Sequence, residues 1–463
     1  MPRDAAKFRS SLAPAPPAHG KEAENLGEVL DETLAPELDE RQIAPKPATP
    51  KRFAAFLAIV AVVLIGLNLR VGVASAAALF HDLQLLLGYG PLVAATLPSI
   101  PVICFAVAGA ATSWLTRLVG LERAIAVALT LLTAGLALRV VDSVGMLLLG
   151  TVVSMSGLAI CNVAMPSFIR QHFAHRTSTM TGVYTITMSI GATTAAALSV
   201  PVAMQLNSPV AGLASWSLLA VVALLAFLPL AVAGKPRPVA ETGAGVSPWP
   251  LLLTRKGLLI TGLFTVQALL VYTIISWLPS ILIARGLDPA SAGLMLGALQ
   301  LISIPAVVLV LWMASRPPLL RPAFMVSTGA SFLGYVCLLA MPNQLVLVPV
   351  LLIGIGFSVF PIVMVVISRS GSNAAETTAM STLAQSVGYL VATVGPFGLG
   401  LLHAVTGGWT LSLELMVAVA VLQLFLAYWL SAGPGAGAAG GRGRVRSGGR
   451  GRLPGRRGEG SQA

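Results

Sequence analysis

The residue types able to do chemistry in this chain are few, and one of them stands where its cost is highest. Arg70 lies within Gly66-Leu67-Asn68-Leu69-Arg70-Val71-Gly72, and no other residue from 53 to 80 is charged. A guanidinium stays protonated at any physiological pH. Placing one near the middle of a bilayer costs at least ~2.5–3.5 kcal/mol on insertion scales, so an intramembrane arginine marks a functional site by default. Its planar fork offers an oxyanion two parallel hydrogen bonds, which a lysine ammonium does not. The structural alternative is snorkelling: counted from residue 53, Arg70 lies roughly 26 Å along a helix, within reach of the far interface.

The elements that must position Arg70 are membrane helices. Of 463 residues, 56% are hydrophobic and only 10% charged, and the mean hydropathy is +0.86. Twelve apolar segments, each able to cross a hydrocarbon core of ~30 Å, are predicted. They run over 53–80, 91–112, 124–141, 144–168, 179–204, 213–233, 257–283, 290–314, 321–341, 344–368, 376–402 and 409–430. With the N-terminus inside, the cytoplasmic connections hold Arg117, Arg123, Arg170, Arg176, Lys235, Arg237, Arg255, Lys256, Arg316, Arg321 and Arg369, against Arg139 and Arg285 outside. This positive-inside bias and the even span count place both termini in the cytoplasm. The basic pI near 10.3 then has a topological explanation and does not call for nucleic acid.

The remaining segments set the domain organisation. Residues 1–52, rich in Pro and Ala with an acidic run from Glu22 to Glu40, read as a disordered cytoplasmic tail. Residues 431–463, Gly/Arg-rich, read as a second such tail suited to anionic membrane lipids. A Pro-rich linker, 234–256, separates a six-helix half at 53–233 from another at 257–430. Ser99-Ile100-Pro101 recurs as Ser303-Ile304-Pro305, and Met180-Thr181 as Met380-Ser381, at nearly equal offsets, which favours a duplicated unit. Cys104, Cys161 and Cys337 all fall in apolar segments without CxxC spacing, so neither a disulfide framework nor zinc is expected.

A set of motifs in order carries a resemblance. They are Asn68-Leu69-Arg70, Asn162 with Pro166, Met180-Thr181-Gly182-Val183-Tyr184, Gln267 with Tyr272, Trp277-Leu278-Pro279-Ser280, Gln300, and Gln385-Ser386-Val387-Gly388-Tyr389 through Gly395-Pro396 to Thr406-Gly407-Gly408-Trp409. Over residues 53–430 the chain resembles the major facilitator superfamily, and within it the cyanate permease and 2-nitroimidazole transporter group. The resemblance implies an all-α membrane fold of two six-helix halves in the cell inner (cytoplasmic) membrane. It also implies alternating access around a substrate bound at mid-depth. The chain departs from the group in three places. In the loop between the second and third spans only Gly120 and Arg123 fit, with Arg117 at the usual Asp position. Val71 follows Arg70 where Pro is usual, and Ala404 follows His403 where Asp is usual.

On that reading Arg70 is the anion anchor. Tyr184, Gln267, Tyr272, Gln300, Gln385 and Tyr389 line the cavity with uncharged hydrogen-bonding groups. Asn68, two residues from Arg70, points off its helical face and either touches substrate or locks a helix contact. Trp277 and Trp409 are expected in the interfacial belt. Arg117 and Arg123 are gating candidates, and Glu414 is the candidate proton relay. With no paired acid in the spans, a proton is expected to ride on the substrate itself. The expected partner is thus a small anion, cyanate-like or organic, handled by a monomer. Efflux of a weakly polar, nitroimidazole-like compound is the nearest alternative. A membrane-embedded enzyme would need a His/Asp or paired-carboxylate constellation. The five histidines are scattered, and His172 and His175 read as lacking an acid nearby, so no catalytic residues, cofactor or metal site is expected.

Overall fold

Apolar runs of this length leave the backbone no water to bond in a bilayer, so every N–H and C=O has to be satisfied within the segment, and helix is the result. The computed structural model describes residues 52–233, 249–371 and 374–432, and among them every regular element is helical. Of the two units into which the chain divides, Met1–Ala55 contributes only the first turn of the first helix to the described residues, and Phe56–Ala463 contains every other element. Nearly all of both expected tails, and residues 234–248 of the expected linker, lie outside the described residues.

The helices are α1 Arg52–Leu87, α2 Pro91–Thr96, α3 Ile100–Val119, α4 Leu121–Leu138, α5 Val144–His172, α6 Thr177–Gln205, α7 Pro209–Ala214 and α8 Ser217–Ala233. After the linker come α9 Trp249–Leu252, α10 Arg255–Ala284, α11 Pro289–Ala314, α12 Leu320–Ala340, α13 Leu347–Gly356, α14 Val359–Ser368, α15 Ala374–Ala392, α16 Val394–Thr406 and α17 Thr410–Ala432. Eleven stretches among the described residues are long and apolar enough to span a membrane, and the second expected span is present as a shorter apolar stretch, Pro91–Val107. Three spans are composite, with breaks between α7 and α8, α13 and α14, and α15 and α16.

Proline placement explains part of this. Pro361 and Pro396 stand in the first turns of α14 and α16, and Pro101 opens α3, positions where a missing N–H leaves no intrahelical bond unmade. Pro166, Pro279 and Pro305 lie inside α5, α10 and α11. Tight packing between helices falls on glycines. A Cβ at Gly157 of α5 would come within 2.3 Å of the Ala128 carbonyl of α4, so those two axes approach more closely than side chains would allow.

One end of the bundle carries the connections with Arg123, Arg176, Arg316 and Arg369, and is called the basic end below. At the opposite end α11 packs on α6, and α16 packs on α2. A Cβ at Gly293 would sit 2.6 Å from the Ala196 carbonyl, and one at Gly400 would sit 3.0 Å from Ala95 Cα. Trp277 donates its indole N–H to the Pro396 carbonyl at 2.9 Å and lies 5.2 Å from Trp409, on which His403 stacks at 3.9 Å. Both tryptophans are buried, which corrects the expectation that they belong to a lipid-facing belt. Trp277 ties α10 to α16 by its hydrogen bond, and Trp409 packs between Trp277 and His403.

Candidate functional site

Helix α1 places Leu69, Arg70, Val73 and Ala74 on one face, the i, i+3, i+4 stripe of a helix, and that face borders a cavity of about 630 Å³. Its wall also takes residues from α3, α5, α6, α10, α11, α14 and α15. The lining runs to Thr181, Leu311 and Ser368, near the basic ends of α6, α11 and α14. Since the other end is sealed by α11 on α6 and α16 on α2, the cavity mouth is at the basic end.

Among the described residues that line the cavity, Arg70 is the only charged one. Among the described residues no carboxylate pairs with it and no protein group accepts a hydrogen bond from it. Its charge acts on the hydroxyls of Tyr184, Tyr272 and Tyr389, three phenols from three helices gathered around one guanidinium. Tyr184 donates to Asn162 Oδ1 at 3.5 Å, the long limit of such a bond. Tyr272 and Tyr389 meet edge-on at 6.0 Å, and Phe105 of α3 lies 6.0 and 5.8 Å from them, forming an aromatic layer. An unpaired fixed cation, neutral O–H donors and aromatic faces together suit a small anion with a flat or apolar body.

The other sequence-derived positions divide. Gln267 lines the cavity, but its amide is largely committed: Nε2 donates to the Gly356 carbonyl at 3.3 Å, and Oε1 accepts from Gln423. Gln300 lines the cavity with its amide free of protein partners among the described residues. Asn68 does not line it. Its amide donates to Leu64 O at 2.9 Å and to Leu219 O of α8 at 3.2 Å, so it locks α1 to α8, and the substrate-contact alternative is corrected. Gln385 is also off the wall, donating to Ser381 Oγ one turn back on its own helix at 2.9 Å. Glu414 is exposed in the first turns of α17, away from the cavity, and Arg117 and Arg123 are exposed at the basic end.

Two features escaped sequence reasoning. His172 does have an acid nearby: its Nε2 lies 3.7 Å from Glu122 Oε1, which corrects the expectation of an isolated histidine. The pair is fifty positions apart in the chain, and only the packing of α4 on α5 joins it. Arg139, expected on the outer side at the end of the third span, is fully buried and bonded to Ser154 and Gly72. Phe105, Phe357 and Phe360 also line the cavity, and nothing in their local sequence distinguishes them from other apolar-span residues; Ser303, read from the sequence only as part of a repeat, lines it too.

Comparison with known proteins gives consistent results. The profile described as Major Facilitator Superfamily matches residues 53–396. The chain is 31% identical over 387 residues to the 2-nitroimidazole transporter of Escherichia coli (strain K12), covering 80% of this chain and 93% of that one. It is 26% identical over 354 residues to the cyanate transport protein CynX of the same organism, covering 76% and 91%. Among solved structures, that of the nucleoside transporter NupG superposes with a TM-score of 0.63 at 15% identity, covering 81% of this chain and 98% of that one.

Proposed function

Because this chain belongs to the Major Facilitator Superfamily, we propose that it carries a small anion across the cytoplasmic membrane by alternating access, with Arg70 holding the negative charge. The coarse part is firm: it is a multi-pass membrane transporter and not an enzyme. The observation that carries the finer part is the guanidinium of Arg70, among the described residues the only charge on the wall of a cavity of about 630 Å³ and without a carboxylate to neutralise it. A cation left unpaired at that depth is costly, and an anionic substrate supplies the missing partner. The names of two relatives, a cyanate transporter and a 2-nitroimidazole transporter, support a small planar substrate.

The two six-helix halves, 53–233 and 257–430, are the bodies that rock. The positive-inside bias assigns the basic end, and so the cavity mouth, to the cytoplasm. No Asp or Glu lines the cavity among the described residues, so a coupled proton would travel on the substrate as its conjugate acid. A second reading, efflux of a weakly polar aromatic compound, is favoured by the layer of Phe105, Tyr272 and Tyr389.

The test is uptake of labelled cyanate, formate, lactate and 2-nitroimidazole into proteoliposomes, with and without an imposed pH gradient, by the wild type and by Arg70→Gln. A charge-assisted hydrogen bond is worth about 1.5–3 kcal/mol, so the variant should lose roughly 10- to 150-fold in kcat/KM for the anions. Equal anion transport by both proteins, or movement of the neutral nitroimidazole alone, would refute the anion assignment and favour the efflux reading.

A further inference from the structure

Directly beyond Arg70 the face of α1 continues toward the sealed end. Val73 is one turn on and borders the large cavity on one side, while Gly72, Val73, Ala76 and Phe80 border a second, small cavity of about 10 Å³ on the other. That is about the space one water requires. Ser276 of α10 closes the second cavity from across the bundle, so its wall joins helices of both halves of the chain. Arg139 forms part of the wall. Its side chain is 0% exposed. It donates from Nη2 to Ser154 Oγ at 3.0 Å and from Nη1 to the Gly72 carbonyl at 3.4 Å, and its Nε–H has no partner. Among the described residues no carboxylate neutralises it.

A packing role would be met by an uncharged side chain at much lower desolvation cost. An arginine with one N–H unmade, no counter-ion among the described residues and a share in a small cavity is instead equipped for a negative charge that is present only part of the time. Arg139 reaches α1 at Gly72, two residues or about 3 Å of helix rise beyond Arg70, and Val73 borders both cavities. Resting on the anion reading above, we infer that Arg139 is a second anion-binding group, on the far side of the Val73 partition. It receives a small monovalent anion when the helices α6 and α11, and α2 and α16, part at the sealed end. The carrier then presents one guanidinium to each face of the membrane in turn: Arg70 to the basic end and Arg139 to the opposite end. The small cavity is what remains of the second vestibule when that end is shut, and with room for about one water it admits an anion only when the helices separate.

The experiment measures zero-trans transport from each face separately, in proteoliposomes of defined orientation, with cyanate and formate as probes. Arg139→Gln should raise KM about tenfold from the face opposite the cavity mouth, equivalent to about 1.4 kcal/mol, and leave KM from the mouth side within twofold. Detailed balance keeps Vmax/KM equal in the two directions for a passive carrier, so the asymmetry must reappear as a tenfold change in the Vmax ratio. Arg139→Lys should recover part of the loss. Ser276→Ala, which leaves every bond of Arg139 in place, should raise the same KM by a smaller factor and carries the test should Arg139→Gln fold poorly. Equal KM changes from both faces, or a fall only in the number of folded carriers with Ser276→Ala silent, would make Arg139 a strut between α1, α4 and α5 and overturn the inference. A wild type that moves neither anion refutes the anion reading itself, and this inference with it.

Discussion

Gly293→Ala should shift the carrier between its two conformations rather than merely weaken it. The missing Cβ would stand 2.6 Å from the Ala196 carbonyl, about 0.8 Å inside the 3.4 Å at which ordinary contact begins, and the obstacle is backbone that no side-chain rotation can clear. Overpacking of this kind costs about 1–3 kcal/mol. The contact exists because the end opposite the cavity mouth is closed, so the cost falls on this conformation and is relieved when α6 and α11 part. A bias of about 1–3 kcal/mol multiplies the opposite-open population by roughly 5- to 150-fold. A cysteine placed at Ser276, in a protein whose three native cysteines have been replaced, reports that population through its labelling rate with an impermeant maleimide applied to the opposite face. Labelling should accelerate by that factor. Gly297→Ala, whose Cβ would meet Thr193 O at a milder 3.3 Å, should accelerate it much less. Gly157→Ala, which strains α5 against α4 within one half, should lower thermal stability without changing the rate. If Gly293→Ala behaves like Gly157→Ala, the contact between α6 and α11 persists in both states, and the assignment of that end as the moving closure is wrong.

Two further predictions separate structural from functional residues. Asn68→Leu removes the bonds from α1 to Leu64 O and Leu219 O, and should cost about 1 kcal/mol, read as a lower melting temperature in detergent, while anion KM stays within twofold. A tenfold KM change without loss of stability would return Asn68 to the site. Removing residues 1–45 and 436–463, which lie outside the described residues, should leave uptake rates unchanged; loss of activity in a correctly inserted truncated carrier would give the tails a function.

How far the sequence could be read depended on whether a residue's role was local. Arg70, Tyr184, Tyr272, Gln300 and Tyr389 could be picked out because polar and charged groups inside apolar runs carry a cost that only a cavity or a partner offsets, and all five do border the cavity. The same logic selected Gln385 and Asn68, whose amide N–H groups donate elsewhere. Gln385 bonds within its own helix and Asn68 bonds to a neighbouring one, and hydropathy carries no mark of which solution a side chain takes.

The sequence alone determined the class, because a hydrocarbon solvent admits so few ways to satisfy a backbone that repeated apolar runs can hardly be anything but a helical bundle. It also determined that the first helix carries a fixed positive charge within its apolar run, since a guanidinium cannot shed its charge. Tertiary structure alone decided what those helices enclose. Packing of α4 on α5 brought Glu122 to His172 and drew Arg139 from the expected outer side into the interior, and packing of α16 on α10 and α17 set Trp277 and Trp409 against Pro396 and His403. These are contacts between residues distant in the chain, fixed by which helix faces meet, and a one-dimensional pattern of polarity specifies that a face is buried without specifying against what.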